Sequence, residues 1–124
     1  VNNGTISSDT GPAVLIENLD FTGSFINNGT LTGPNAVDAA TALSALTFVQ
    51  NGGALNGNFI GSAFDDSLTF ASGAATLAGN ISGNVNVTVA DGSTLAISGA
   101  RALAGDLVAN GMLDCRWGYG AWRN

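Results

Sequence analysis

Asn28-Gly29-Thr30-Leu31 is one of six copies of a short pattern, and that pattern decides the fold. The others are Asn3-Gly4-Thr5-Ile6, Gly52-Gly53-Ala54-Leu55, Gly73-Ala74-Ala75-Thr76-Leu77, Asp91-Gly92-Ser93-Thr94-Leu95 and Asn110-Gly111-Met112-Leu113. In each, a turn-prone cluster leads to an aliphatic residue. The anchors Ile6, Leu31, Leu55, Leu77, Leu95 and Leu113 stand 25, 24, 22, 18 and 18 residues apart. A period near 20 residues marks stacked coils, each needing its neighbours to bury its apolar side.

A second series keeps the same beat. Leu19-Asp20-Phe21, Leu46-Thr47-Phe48, Leu68-Thr69-Phe70, Val87-Thr88-Val89 and the shifted Asp106-Leu107-Val108 precede the later turns. Around both series the apolar residues alternate, as in Val85-x-Val87-x-Val89 and Leu95-x-Ile97. Alternation over short runs bounded by Gly, Asn, Asp and Ser reads as strands with one buried face. A period of ~20 residues then holds three strands and three turns. Like residues stack in ladders: Leu and Ile inside, Asn3, Asn28 and Asn110 at corners, and Thr5, Thr30, Thr76 and Thr94 on the outer or corner side. The early coils are longer, and the pattern places their insertions at Ser7–Ala13 and Thr32–Thr41 as projecting loops. Ala36–Leu46, rich in Ala, is the one stretch that reads as a short helix. The expected domain is a solenoid over 1–113, followed by an atypical tail over 114–124.

Composition narrows the chemistry. The chain has 124 residues, nine acids, three Arg, no Lys and no His, for a net charge of −6. A chain so poor in cations does not neutralise nucleic-acid phosphates or seek anionic membranes. No apolar run reaches the ~18 residues of a membrane-spanning helix. The opening Val1-Asn2-Asn3-Gly4 carries no initiator Met and no signal segment, which reads as a processed product or an excised piece. One cysteine, Cys115, forms no internal disulfide.

Asn28-Gly29-Thr30-Leu31-Thr32-Gly33, Leu77-Ala78-Gly79-Asn80-Ile81-Ser82-Gly83 and Gly92-Ser93-Thr94-Leu95-x-Ile97-Ser98-Gly99 resemble the passenger region of autotransporters. Leu68-Thr69-Phe70-x-x-Gly73 belongs to the same style. The resemblance covers residues 1–113 and is one of low-complexity grammar, shared with filamentous adhesins and phage fibres. It implies a right-handed parallel β-helix, and the six copies of the repeat make about six coils. It also implies secretion or display at a bacterial outer surface, within a larger precursor carrying a C-terminal barrel.

Catalytic constellations are sparse. Without His there is no ordinary Ser-His or Cys-His nucleophile, and without Lys no phosphate loop of the usual kind. Asp65-Asp66, in the turn-like segment 61–67, is the one adjacent acid pair. It is a weak candidate for metal, or for two-carboxylate glycoside cleavage. Neighbours in a strand point to opposite faces, so a solvated corner is the plainer reading. The sequons at Asn3, Asn28, Asn80 and Asn86 follow from an Asn/Gly/Thr-rich composition. The tail holds the one Cys, both Trp, the one Tyr and two of three Arg. Trp117, Tyr119 and Trp122 read as a binding patch, as a cap on the last coil, or as a foreign end.

These features predict a non-enzymatic adhesin or structural stalk with no cofactor, whose partner is a surface glycan, a protein or another copy of itself. The alternatives are a β-helix that binds or degrades polysaccharide, and an inert scaffold fragment.

Overall fold

A computed structural model describes residues 1–17, 23–99, 102–116 and 121–123. In chain order the strands are β1 (Thr5–Ser7), β2 (Pro12–Glu17), β3 (Ser24–Asn27), β4 (Thr30–Thr41), β5 (Thr47–Ile60) and β6 (Asp66–Leu77). They continue with β7 (Ile81–Ser82), β8 (Val85–Val89), β9 (Thr94–Ser98), β10 (Leu107–Ala109), β11 (Met112–Arg116) and β12 (Ala121–Arg123). Among the described residues there is no helix. Every strand pair is parallel except β11 with β12. The chain forms an all-β, parallel β-solenoid of about five turns.

Three faces run along the rod. The first stacks Ile6, Leu31, Leu55, Leu77, Ile97 and Cys115 in one row. The second stacks Val14, Val37, Phe59 and Ile81, with Leu103 bridged to Ile81. The third stacks Phe25, Phe48, Leu68, Val87 and Leu107. The longest strands, β4, β5 and β6, bend through corners and serve more than one face. The three inner rows meet in one core, where the Phe25 and Phe48 rings stack at 5.1 Å and Phe59 meets Phe48 edge-on at 5.3 Å. Such pairs are worth about 1 kcal/mol beyond the area they bury.

Three sequence expectations are corrected. Ala36–Leu46 is no helix: residues up to Thr41 lie in β4, between β2 and β5, which take up its backbone groups. Pairing on both sides outweighs the helix preference of Ala. Thr32–Thr41 is likewise no projecting loop but strand, chiefly the second face; of the expected insertion Ser7–Ala13, Ser7 ends β1 and Pro12–Ala13 open β2, which leaves residues 8–11 as the connection between strands. The longer coils are absorbed by bulges, with register shifts between Thr32 and Asn35 and between Asn35 and Val37. Pro34, which lacks an N–H, falls at the first of these, where strand proline is tolerated.

The third correction is register. Leu77 stacks on Ile97, and Leu95 stacks on Ala75 and Leu113. Phe48, not Leu46, stacks on Leu68. The first-face steps therefore shorten evenly, at 25, 24, 22, 20 and 18 residues. Leu19-Asp20-Phe21 lies outside the described residues.

The corners carry their own constraint. A Cβ on Gly29 would lie 1.9 Å from the Gly4 carbonyl oxygen, and one on Gly53 would lie 2.0 Å from that of Gly29. Rungs at ~4.8 Å leave no space there for a side chain. Gly4, at the top of the same column, meets nothing within 4 Å. Gly29→Ala should therefore cost about 2 kcal/mol by overpacking, while Gly4→Ala stays within about 0.5 kcal/mol. Urea unfolding of both variants checks this; equal midpoints would contradict it.

Candidate functional site

The polar side chains fall into columns. Inside the corner between the third and first faces, the Asn2, Asn27 and Gln50 amides form a chain. Asn2 Nδ2 donates to Asn27 Oδ1 at 2.8 Å, and Asn27 Nδ2 donates to Gln50 Oε1 at 2.8 Å. Asn27 Nδ2 also donates to the Gly29 carbonyl, and its Oδ1 accepts from the Gly29 N–H. Gln50 Nε2 donates to the Gly29 and Gly52 carbonyls. Asn27 and Gln50 are fully buried, so each bond replaces a desolvation cost of about 1–3 kcal/mol per unmet group.

Outside the same corner runs a second column. Asn28 Nδ2 donates to Asn3 Oδ1, Asn51 Nδ2 to Asn28 Oδ1, and the Ser72 hydroxyl to Asn51 Oδ1. The expected Asn3–Asn28 contact is present, and Asn51 and Ser72 continue it. Asn110 joins the preceding coil through its backbone N–H, bonded to the Val89 carbonyl. A third column, Asn35, Asn58 and Asn80, lies between the first and second faces: Asn58 Nδ2 donates to Asn35 Oδ1, and the Asn80 N–H to Asn58 Oδ1. The Thr column is shorter than expected. Thr5 pairs with Thr30, but Ala54 stands between Thr30 and Thr76, and Thr94 pairs with Ala74.

Asp65 and Asp66 point to opposite sides of the chain. Asp65 is exposed and accepts from Asn84 Nδ2. Asp66 is buried, with 1% of its surface exposed. Its Oδ1 accepts from the Leu46 N–H at 2.7 Å and the Ser62 hydroxyl at 2.6 Å; its Oδ2 accepts from the Ser62 N–H at 2.6 Å. The carboxyl group thus ties its own corner to the preceding coil, and the pair does not converge on a common point. Among the described residues no three His, Cys, Asp or Glu side chains gather as a metal site would need.

Trp117 and Tyr119 lie outside the described residues. Trp122 lies in β12, whose backbone pairs antiparallel with β11, Cys115 opposite Trp122. That strand covers the edge of the last first-face strand, whose solenoid register runs past Leu113 to Arg116. Cys115 ends the inner row, buried, and burial pushes its thiol above the ordinary value, with the Asp114 carboxyl adding to the shift.

The outward side of the third face was not singled out by the sequence reading. Its two rows are Ser24, Thr47, Ser67 and Asn86, and Ile26, Val49, Thr69, Thr88 and Val108. The first row is all hydroxyl or amide and the second all β-branched. The signal was present as the middle residues Thr47, Thr69 and Thr88 of three apolar-x-apolar triplets.

No family model matches the chain, and no curated protein and no solved structure matches it.

Two predictions follow from the columns and the thiol. Asn27→Leu should cost about 3 kcal/mol, because it strips a buried amide of its bonds, whereas Asn28→Leu on the outer side should cost less than about 1 kcal/mol. Thermal unfolding of the two variants compares them, and equal losses would contradict the account. Cys115 should alkylate at least tenfold more slowly in the folded chain than in urea. A raised thiol keeps its proton in the fold while the unfolded chain ionises, so its contribution to stability is present below the ordinary thiol value of about 8.5 and is lost as pH rises through the raised one.

Proposed function

We propose that this chain is a rigid, non-enzymatic rod segment displayed outside a bacterial cell, of autotransporter passenger type. It acts by adhesion or self-association. The observation that supports the reading is where the polar chemistry goes. The Asn, Gln and Asp66 groups that would serve a reaction are engaged in coil-to-coil hydrogen bonds. The rows turned outward on the first and third faces of the early coils are short and neutral, and those of the third face are also regular. A stack whose neighbours interlock by both backbone and side chains is stiff, and stiffness lets a surface hold its groups in fixed positions at little entropic cost on binding.

Secretion and a place in a larger surface protein rest on the resemblance of the repeat grammar, now joined by a parallel solenoid fold. The second reading, cleavage of polysaccharide, has less support, because Asp65 and Asp66 face opposite sides and Asp66 is enclosed by donors.

The test is a pair of assays on the same chain. Beads coated with it should cluster or attach to glycan- or protein-coated surfaces, and the soluble chain should release no reducing ends from neutral or acidic polysaccharides. Coated beads that neither cluster nor attach to any surface would overturn the adhesive role. Release of reducing ends would move the enzymatic reading to first place.

A further inference from the structure

We infer that the outward side of the third face is a binding surface for a linear, neutral polysaccharide, held lengthwise along the rod. This rests on the adhesive reading above and names its ligand class and its residues.

Register comes first. Ser24, Thr47, Ser67 and Asn86 pair in unbroken sequence, as do Ile26, Val49, Thr69, Thr88 and Val108. Shifts in the neighbouring strands fall elsewhere: beyond Gln50, and at Thr32–Val37 on the way to the second face. The third face is therefore a lattice. Its rungs repeat every ~4.8 Å along the rod, and its two rows stand ~6.7 Å apart, two residues along a strand. Such a surface engages several rungs at once only with a ligand that itself repeats along a line.

Chemistry comes second. One row offers hydroxyls and an amide, which donate and accept. The other offers methyl-bearing β-branched side chains with stiff χ1 angles, ending at Val108, which is 52% exposed. The first is a polar stripe, while the second carries methyl groups along its whole length, aliphatic at Ile26, Val49 and Val108 with the Thr69 and Thr88 hydroxyls between them. A sugar polymer has the same division, with hydroxyls along its edges and C–H groups on its flat sides.

Charge comes third. None of the eight outward positions from Ser24 to Thr88 is acidic or basic. An anionic polymer would meet a chain of net charge −6 without one cation on this face, and for a cationic polymer the acids stand only at the margins, Asp65 just before the rows and Asp106 at their end. A neutral polymer avoids both penalties.

Size separates this ligand from a folded partner. Five rungs by four to five residues give a footprint of about 24 by 15 Å, on the order of 350 Å². A stable protein interface covers about 800 Å² on each partner. The strip is too narrow for that, and it is the width of an extended chain.

The first face is the nearest rival, and it is less regular: its outward row alternates Thr30, Ala54, Thr76 and Ala96. The second face carries Asp38 and the exposed Leu15 in the same row.

The experiment is co-sedimentation of the full chain with three insoluble polysaccharides: a neutral β-glucan, neutral chitin and cross-linked polygalacturonate. Two variants accompany it. Thr69→Arg puts a bulky charge on the central rung, and Ser82→Arg puts the same charge on the exposed second face. Circular dichroism melts verify that both keep the fold, and Thr88→Arg replaces Thr69→Arg if that variant does not. The expected result is retention on at least one neutral polymer and little on polygalacturonate, with affinity falling at least tenfold for Thr69→Arg and unchanged for Ser82→Arg. Equal binding by both variants, stronger retention on polygalacturonate, or no retention on either neutral polymer would overturn the inference. Bead clustering or attachment that persists alongside such a result would leave the adhesive reading standing and place its surface elsewhere.

Discussion

Each coil has to meet the next along three strands at one spacing, about 4.8 Å, and the rest of the structure follows from that. At the corners the spacing excludes side chains between rungs, so Gly29 and Gly53 sit where a Cβ would strike the carbonyl of the preceding coil, that of Gly4 and of Gly29 in turn. Corner backbone also turns polar groups inward, away from water. The Asn2, Asn27 and Gln50 amides and the Asp66 carboxyl supply the missing partners, and the amides also bond to one another. A buried polar group is tolerated when each of its bonds is made, and these bonds can be made only between coils in register. The polar columns therefore help to fix which residue lies over which.

Fold class was legible because the repeat is written twice over, in turns and in apolar triplets. Register was not. A slip of one residue would turn Leu95 outward, but a slip of two keeps an apolar residue inside. Leu95 and Ile97 both fit under Leu77, and Leu46 and Phe48 both fit over Leu68. The choice is made by the path of the corners, and spacing alone does not carry it. The second-face strand of each coil was hidden for another reason. In the early coils it contains Pro34, bulges and the Ala-rich run 36–42, which obscure the alternation and mimic loop and helix.

The site was legible only in part. Alternation correctly separates Asp65 from Asp66, yet a carboxyl beside a turn looks solvated in sequence, and the donors that enclose Asp66 come partly from Leu46, twenty residues earlier. The third-face rows were concealed because their residues, Thr47, Thr69 and Thr88 among them, read as the polar spacers between apolar anchors. In a solenoid those spacers become the surface, and their periodicity is inherited from the core beneath them.

The most direct test of the account is the register it assigns, read by cross-linking in a background lacking Cys115. Thr76 lies beside Ala96, and Thr94 is two residues away along the strand. In-register Cα atoms of parallel neighbours fall within the 4.4–6.8 Å that a disulfide spans. Oxidation should close a Thr76→Cys/Ala96→Cys pair readily and with the melting temperature retained, while Thr76→Cys/Thr94→Cys stays reduced. The reverse outcome would contradict the coil-on-coil register on which the polar columns and the outer face depend.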